Sequence, residues 1–347
     1  MHSRLARNFL KGLVGALAIA LAISIFTATN ASVSFYYSIT DLGTLGGNFS
    51  EAKGLNDAGQ VVGDATNNQP NFVRHAFLWN NGTMTDLGTL GGISSSASSI
   101  NNKGQVVGQS DTIDDPYGGA RHAFLWDSGT MIAFDNLDSQ YSFASGINNK
   151  GQVVGSSGQA FMWNNGTTTV LGTLGSDSNS SAEDINYAGQ VVGTSFSDDV
   201  SSRAFLWDNG TMINLGNLGG SRSSASGINQ AGRVIGFSET SNGYFHAFLW
   251  NNGTMTDLGT LGGNESHAYG MNKVGKVVGS SETSSGDSHA FLWNNGKMFD
   301  LNNLLPNNSG WVLWYAKDIN NRGQIVGYGS FQNQARAFLL TPVLITN

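Results

Sequence analysis

The sequence predicts an all-β protein whose repeated units close into a ring. Seven segments resemble Ile-Asn-x-x-Gly-Gln-Val-Val-Gly, and seven more resemble Ala-Phe-Leu-Trp. The Asn of the first segment recurs every 38 to 48 residues, a period typical of four-stranded propeller blades. Short runs rich in Val, Ile, Phe and Trp alternate with Gly and Asn, and no long 3.6-residue apolar pattern occurs. We therefore predict a seven-bladed β-propeller of four-stranded antiparallel blades.

The first strand of each predicted unit ends at the recurring Asn, and a Gly follows three residues later. Asn can cap its own turn through its side chain, and Gly can adopt the positive φ of a tight hairpin. We therefore expect these Asn residues to form turns rather than a ligand site. They are Asn56, Asn101, Asn148, Asn186, Asn229, Asn272 and Asn320.

The other three strands of the unit are also marked by recurring residues. The second strand ends at a Gly, such as Gly63, which predicts close approach of a neighbour, with the Trp of the third strand as the expected group. The third strand, such as Ala76–Trp79, is apolar at every position, and we expect it to be buried on both faces. After an Asn-Asn-Gly hairpin signal, the fourth strand runs as in Met84–Gly88.

The repeat is out of phase with the chain ends. An Asp-Leu-Gly strand, Tyr37–Leu42, precedes every other repeat element, and the last apolar strand, Ala337–Leu340, has no such strand after it. Because an open ring would leave strand edges unpaired, we predict that residues 36–43 complete the last blade. The repeats then span 44–341, within a single domain of residues 32–347. The alternative, a linear β-solenoid, would use shorter parallel rungs and polar capping repeats.

Residues 1–31 have the layout of a secretory signal peptide. Arg4, Arg7 and Lys11 precede an apolar run from Gly12 to Phe26, and small residues follow. The run is shorter than the roughly 20 residues that span a bilayer. We expect cleavage near residue 31, no membrane span afterwards, and a secreted, extracellular or periplasmic location. A retained anchor is the alternative.

Composition excludes several classes of function. There are 17 Lys and Arg against 24 Asp and Glu, a net charge of −7, which argues against a nucleic-acid partner because phosphate neutralisation needs many cations. Cysteine is absent, which excludes disulfides and thiolate chemistry. The sequence contains no calcium loop, zinc-protease motif or nucleophile elbow. We therefore expect no cofactor, no metal site and no catalytic residues.

Ala-Phe-Leu-Trp is preceded by His in four units and by Gln or Arg in three. The four are His75, His122, His246 and His289, and the three are Gln159, Arg203 and Arg336. Together with the two other repeated segments, this pattern resembles the HAF repeat proteins, a bacterial family of extracellular repeats, over nearly all of residues 37–340. The resemblance implies no catalytic residues. Because the histidines lie in different units, we expect each to bond a neighbouring strand or turn, a role that Arg or Gln could also fill.

Loops of variable length place the candidate binding residues on one face. In an antiparallel blade, the turns after the first and third strands share a face, and here those turns are short. The loops after the second strand and the blade-to-blade connections lie on the opposite face, which we call the variable face. Binding usually resides in such loops. The candidates are Asp114, Asp115, Tyr117 and Arg121 on the longest loop, and Trp311, Trp314 and Tyr315 on the connection into the last blade.

The leading functional prediction is a non-enzymatic, monomeric scaffold that binds an extracellular glycan or protein through the variable face. Loop aromatics can stack on sugars or anchor a protein partner. One alternative is a hydrolase or lyase acting on polysaccharide, for which Glu183, Asp184 and Asp318 on the first strands are the candidate acids. The other is a purely structural extracellular protein. Propellers support many activities, so the fold does not decide among them.

Overall fold

The computed structural model describes residues 35–69, 73–113, 120–134, 137, 141–198 and 201–344. The predicted signal peptide and the candidates Asp114, Asp115 and Tyr117 lie outside these residues. The propeller occupies Tyr37–Pro342. Over the described ranges, the only helical element is a 3₁₀ turn, Leu301–Leu304, and no helix is long and apolar enough to cross a membrane.

Twenty-eight strands in the described residues form seven four-stranded sheets, which confirms the seven-bladed propeller. The first strands are β2 Gly46–Leu55, β6 Gly91–Ile100, β10 Phe143–Ile147, β14 Asn179–Ile185, β18 Gly219–Ile228, β22 Gly262–Met271 and β26 Trp311–Ile319. The second strands are β3 Val61–Asn67, β7 Val106–Thr112, β11 Val153–Ser157, β15 Val191–Phe196, β19 Val234–Thr240, β23 Val277–Thr283 and β27 Ile325–Phe331. The third strands are β4 Arg74–Asn80, β8 Arg121–Asp127, β12 Gln159–Asn164, β16 Ser202–Asp208, β20 Phe245–Asn251, β24 Ser288–Asn294 and β28 Gln334–Leu344. The fourth strands are β5 Thr83–Asp86, β9 Thr130–Ala133, β13 Thr167–Gly172, β17 Thr211–Asn214, β21 Thr254–Asp257, β25 Lys297–Asp300 and β1 Phe35–Asp41.

Blade 1 consists of β2–β5, and the later blades follow in chain order up to blade 6, β22–β25. Blade 7 has the strand order β1-β28-β27-β26, so it contains strands from both ends of the chain. The Leu42 backbone N–H donates to the Ala337 carbonyl at 3.1 Å, the same bond that Leu87 makes to Ala76 inside blade 1. Leu42 also packs in a core cluster with Phe77 of blade 1. The N-terminal strand thus closes the ring as predicted.

The Gly of each second strand is needed because the first strand approaches it closely. In blade 1, the first strand bulges between Ala52 and Gly54 opposite Gly63. A Cβ on Gly63 would overlap the Glu51 carbonyl. The prediction that the third-strand Trp lies next to this Gly is therefore wrong, because Trp79 pairs with Val61.

The hydrophobic core lies between blades rather than inside a single one. In one cluster, Val154 and Leu171 of blade 3 pack with Val191 and Phe205 of blade 4. Seven third-strand Phe residues are less than 2% exposed: Phe77, Phe124, Phe161, Phe205, Phe248, Phe291 and Phe338. The Trp two residues later is half-buried in most blades. The prediction that the third strand is buried on both faces is therefore confirmed for Ala-Phe and only in part for the whole Ala-Phe-Leu-Trp motif.

A serine that the sequence reasoning overlooked also joins neighbouring blades. Ser50 Oγ on β2 donates to the Gly43 carbonyl at 2.7 Å and accepts from the Ala337 N–H at 2.9 Å. Ser95 binds Gly88 and Ala76 in the same way. Ser-x-Ala occurs at this position in six blades and was the available signal.

Candidate functional site

The first strands line a central channel. Ala52 is fully buried inside its blade, whereas its neighbours Glu51 and Lys53 are half-buried. Residues at the position of Lys53, three before the turn Asn, share a cavity of about 460 Å³ with contributions from six blades. They are Lys53, Ser98, Ser145, Glu183, Ser226 and Tyr269. Blade 7 carries Lys317 at this position.

At the face with the short turns, the channel ends in a ring of asparagine side chains. Each Nδ2 donates to the carbonyl oxygen of the next Asn around the ring at 3.0–3.4 Å, and Asn320 donates to Asn56 to complete the circle. In the first turn, Asn56 Oδ1 accepts from the backbone N–H groups of Ala58 and Gln60. The predicted turn role is confirmed, and the link between blades is an additional role. The cavity here measures about 190 Å³.

Two carboxylates in the channel wall accept hydrogen bonds from the following blade. Asp184 Oδ2 accepts from the Ile228 N–H at 2.9 Å, and Asp318 Oδ2 accepts from the Leu55 N–H at 2.9 Å. The other oxygen of each accepts from the next residue in its own strand. Burial raises the pKa of Asp184 to about 6 and the pKa of Asp318 to about 7. These candidate acids lie on blades 4 and 7 and are bound to backbone.

Glu183, the third candidate acid, faces the channel from blade 4. Its Oε1 accepts from Ser181 Oγ at 2.8 Å. Burial raises the pKa of Glu183, and the neighbouring Asp184 charge adds to the increase. Over the described ranges, no group of three His, Asp or Glu residues is placed to hold a metal ion.

In the channel, three residues before Asn320, Lys317 is surrounded by three tyrosines, an arrangement we call the tyrosine cage. Its Nζ lies 4.5 Å from the Tyr269 ring centroid, 5.3 Å from that of Tyr315 and 5.8 Å from that of Tyr328. Glu51 Oε1 lies 3.6 Å from the same Nζ. Burial lowers the pKa of Lys317 and raises those of Tyr269 and Tyr328.

The cage extends outward into an aromatic groove between blades 6 and 7. Tyr315 stacks on Tyr328 with ring centroids 5.0 Å apart, and Trp314 meets Tyr328 edge-on at 6.2 Å. Trp314 lies at a β-bulge, where the pairing of β26 with β27 skips one residue. With His289 and Val312, these rings line a groove of about 570 Å³. Aromatic faces therefore border the channel mouth.

A second feature, the charged cleft, lies between blades 1 and 2. It contains Lys53, Asp64, Arg74, Asp111 and Arg121 and measures about 340 Å³. Lys53 Nζ lies 2.6 Å from Asp64 Oδ1, and Arg121 Nε lies 3.1 Å from Asp111 Oδ1. Lys53 lines both the charged cleft and the channel cavity, and Tyr269 of the tyrosine cage lines the same cavity, so the cleft and the cage both adjoin the channel.

The structure separates the candidate residues of the sequence. Arg121 lies in the charged cleft, and Trp314 and Tyr315 lie in the aromatic groove. Trp311 is 9% exposed and stacks on Phe331 at 4.7 Å, so it packs inside blade 7. The aromatic segment is also not the predicted connection, because Trp311–Ile319 forms β26.

Sequence reasoning missed most of the channel mouth. The sequence prediction assigned binding to loops, whereas the residues found here lie on strands: Lys53, Asp64, Arg74, Tyr269, Lys317 and Tyr328. The available signal was departure from the repeat, because Lys53 and Lys317 replace the Ser that blades 2, 3 and 5 carry at this position.

Three of the four repeat histidines bond a neighbouring strand, as expected, and His75 Nε2 also lies 3.2 Å from the Ile93 carbonyl of blade 2. His75 Nδ1 lies 2.8 Å from Asp86 Oδ2 of the fourth strand. His246 with Asp257 and His289 with Asp300 repeat this contact at 2.8 and 2.7 Å. In blade 4, Arg203 pairs with Asp177 instead. These pairs connect strands and lie on separate blades.

Comparison with known proteins supports the fold alone. No family model and no curated protein sequence matches the chain. The β-propeller domain of the Trilobed protease from Pyrococcus furiosus, described as having an open velcro topology, is similar with a TM-score of 0.54 at 8% identity. The match covers 90% of this chain and 98% of that domain.

Two further structures are similar to a comparable degree. A Mycobacterium tuberculosis puromycin-hydrolyzing peptidase matches with a TM-score of 0.54 at 10% identity, over 88% of this chain and 54% of that one. A puromycin hydrolase S511A mutant complexed with PGG matches with a TM-score of 0.53 at 11% identity, over 83% and 51%. The chain therefore spans about half the length of each of these two proteins.

Proposed function

We propose that the protein is a non-enzymatic, exported binding scaffold that holds a glycan across the variable-face mouth of its channel. The observation that carries the proposal is the aromatic groove of Trp314, Tyr315 and Tyr328 beside the charged cleft. Aromatic side chains offer flat apolar faces for sugar rings, and a few placed polar groups fix a ligand's orientation.

The positions of the acids favour binding over hydrolysis or elimination. A pair of acids acting on a glycosidic bond must flank that bond from two sides. Asp184 and Asp318 instead accept backbone N–H groups of the next blade, and Glu183 accepts from Ser181. Their raised pKa values follow from burial in the channel wall. A structural task explains these acids without a reaction.

A glycan array probed with residues 32–347 tests this proposal. We expect binding to a restricted set of oligosaccharides and weaker binding by Trp314→Ala, because the substitution removes an aromatic face from the groove. Tyr187→Ala is the matched control, since Tyr187 is an exposed aromatic next to the asparagine ring on the opposite face. Its binding should equal that of the unsubstituted chain.

Two results would contradict the proposal. One is an array that stays blank at high protein concentration. The other is a Trp314→Ala variant that binds like the Tyr187→Ala control while both remain folded. Release of new reducing or unsaturated sugar ends from a bound glycan would instead support the polysaccharide-acting enzyme.

A further inference from the structure

Two arginines occupy the same repeat position in adjacent blades and line one cleft. Arg74 begins β4 and Arg121 begins β8, each two residues before the Ala of Ala-Phe-Leu-Trp. Blades 3 to 7 carry Gly158, Ser202, Phe245, Ser288 and Ala335 at this position. The repeat itself therefore folds without arginine here, and the pair is a feature of blades 1 and 2.

Each arginine is oriented by a buried carboxylate. Arg121 Nε lies 3.1 Å from Asp111 Oδ1, and Arg74 Nη1 lies 3.5 Å from Asp64 Oδ2. The Arg74 guanidinium also lies over the Phe49 ring, 3.8 Å from its centroid. The side chains of Asp111 and Asp64 are 6% and 3% exposed, whereas those of Arg121 and Arg74 are 48% and 49% exposed. The acids anchor the arginines and leave much of each guanidinium open to the cleft.

The cleft has an excess of positive charge. Lys53, Arg74 and Arg121 face two carboxylates, Asp64 and Asp111, so the cluster carries one net positive charge. Lys53 Nζ also donates to Ser96 Oγ at 2.8 Å, and Ser96 in turn donates to Asp64. The volume of about 340 Å³ lies within the range of small-ligand sites. These properties fit a small, hydroxylated ligand with a single negative charge.

We propose that the charged cleft binds the carboxylate of an acidic sugar unit, a hexuronate, with Arg74 and Arg121 donating to its oxygens. The inference rests on the proposed function and specifies the class of glycan. A planar guanidinium donates two parallel N–H bonds to a carboxylate, a geometry that lysine lacks. Gln109 in the cleft wall supplies polar groups for the ring hydroxyls. The adjoining sugar reaches the channel mouth beside Lys53.

Calorimetry with three matched oligosaccharides tests the carboxylate. The probes are a galacturonic acid tetramer, the same tetramer with its carboxyl groups methyl-esterified, and a neutral galactose tetramer. We expect the acid to bind at least about tenfold more tightly than the ester or the neutral sugar, as a charge-assisted hydrogen bond predicts. The acid's affinity should fall as salt increases.

Three variants locate the contact. Arg74→Gln and Arg121→Gln should each weaken binding of the acid about tenfold and reduce its preference over the neutral tetramer. Arg222→Gln is the control, since Arg222 is another exposed arginine paired with an acid, Glu239, near the variable-face end of blade 5. It should bind the acid normally. Thermal melting establishes that each variant is folded. If one arginine variant does not fold, the other variant and the comparison of the acid with its methyl ester still test the inference.

Equal binding of the acid and its ester would overturn the inference, as would unchanged affinity in both arginine variants. A sulfated galactose tetramer that binds more tightly than the galacturonate would also overturn it, because the cleft would then select a sulfate. Binding of neutral glycans without preference for the acid would overturn this inference and leave the proposed function standing. Failure of every glycan to bind would contradict both.

Discussion

Arg336 Nη2 lies 2.9 Å from Asp41 Oδ2, and this ion pair joins strands from opposite ends of the chain. Blades 1, 5 and 6 place a His and an Asp at the same two positions, in the pairs His75–Asp86, His246–Asp257 and His289–Asp300. The N-terminal strand therefore supplies to blade 7 the contact that a continuous fourth strand supplies elsewhere. Blade 7 follows the pattern of blades 1, 5 and 6 despite the break in its chain.

Deletion of residues 32–43 should lower the melting temperature by many degrees. The deletion exposes the edge of β28 and removes Leu42, which is 4% exposed, from the core between blades 7 and 1. Thermal melting followed by circular dichroism measures the effect. If the deletion variant melts at the same temperature as the protein of residues 32–347, the strand does not close the ring.

Leu42→Ala tests whether closure is as strong as an ordinary blade contact. A buried Leu→Ala substitution costs about 2–5 kcal/mol. Leu258 of blade 5 is the matched position, because it is 7% exposed and its N–H donates to the Ala247 carbonyl as that of Leu42 does to Ala337. We expect similar losses in the free energy of unfolding for Leu42→Ala and Leu258→Ala in denaturant titrations. A negligible loss for Leu42→Ala alone would mean that the closing strand is loosely held.

Asn320→Asp separates the two roles of the asparagine ring. The Asp oxygens can still accept the turn N–H groups that Asn320 Oδ1 accepts, but Nδ2, which donates to the Asn56 carbonyl, is lost. The new oxygen would face that carbonyl and Gln324 Oε1, so we expect a loss of about 2 kcal/mol or more in the free energy of unfolding. Asn252→Asp, in an exposed hairpin at φ 46°, should cost little. Equal effects at both positions would assign the ring asparagines to turn formation alone.

Asp318 should make stability depend on pH in a specific direction. Its folded-state pKa is raised to about 7, so between about pH 4 and pH 7 the folded protein binds more protons than the unfolded chain. The contribution is therefore present below about pH 4 and is lost as pH rises through 7. Asp318→Asn keeps an oxygen acceptor for Leu55 and removes the charge.

The measurement is the free energy of unfolding from pH 4 to pH 8, compared between Asp318→Asn and the unsubstituted chain. The variant should gain stability relative to the unsubstituted chain as pH rises. A difference between the two proteins that stays constant over this range would contradict the raised pKa of Asp318.

Gly236→Ala should prevent stable folding, whereas Gly253→Ala should be tolerated. A Cβ at Gly236 would overlap the Ser224 carbonyl of the bulged first strand, so backbone must move. Gly253 has φ 87° with open space around its Cβ position, so alanine there meets only backbone strain, about 1–3 kcal/mol. Expression and thermal melting compare the two. Similar melting temperatures for the two variants would show that the first strand can move to accommodate the added Cβ.

Period and phase were enough to predict the propeller, because both are read from short motifs whose residues lie a few positions apart. Asn56 and Gly59 form one turn, and Tyr37–Leu42 lacked a partner in its own unit. The group that approaches Gly63 could not be predicted from such motifs. It depends on a bulge in the preceding strand that brings the Glu51 carbonyl close, and no residue type marks that bulge.

The candidate site was predicted less well, because its contacts cross blades and the ring junction. Glu51 and Lys317 meet only because blade 7 lies beside blade 1, although 266 residues separate them. Arg121, Trp314 and Tyr315 were identified by their positions in atypical segments. Trp311 has the same sequence context but points into the blade and packs on Phe331.

The composition of blade 7 also determines the order in which the protein can be completed. The sheets of blades 1 to 6 are each continuous in sequence, so each can form once its own strands have been synthesised. β1 is made before all of them, but its partner β28 is the last strand of the chain. A chain whose synthesis stops between residues 301 and 333 therefore contains the strands of six continuous sheets but lacks β28, the strand that pairs with β1 to close the ring.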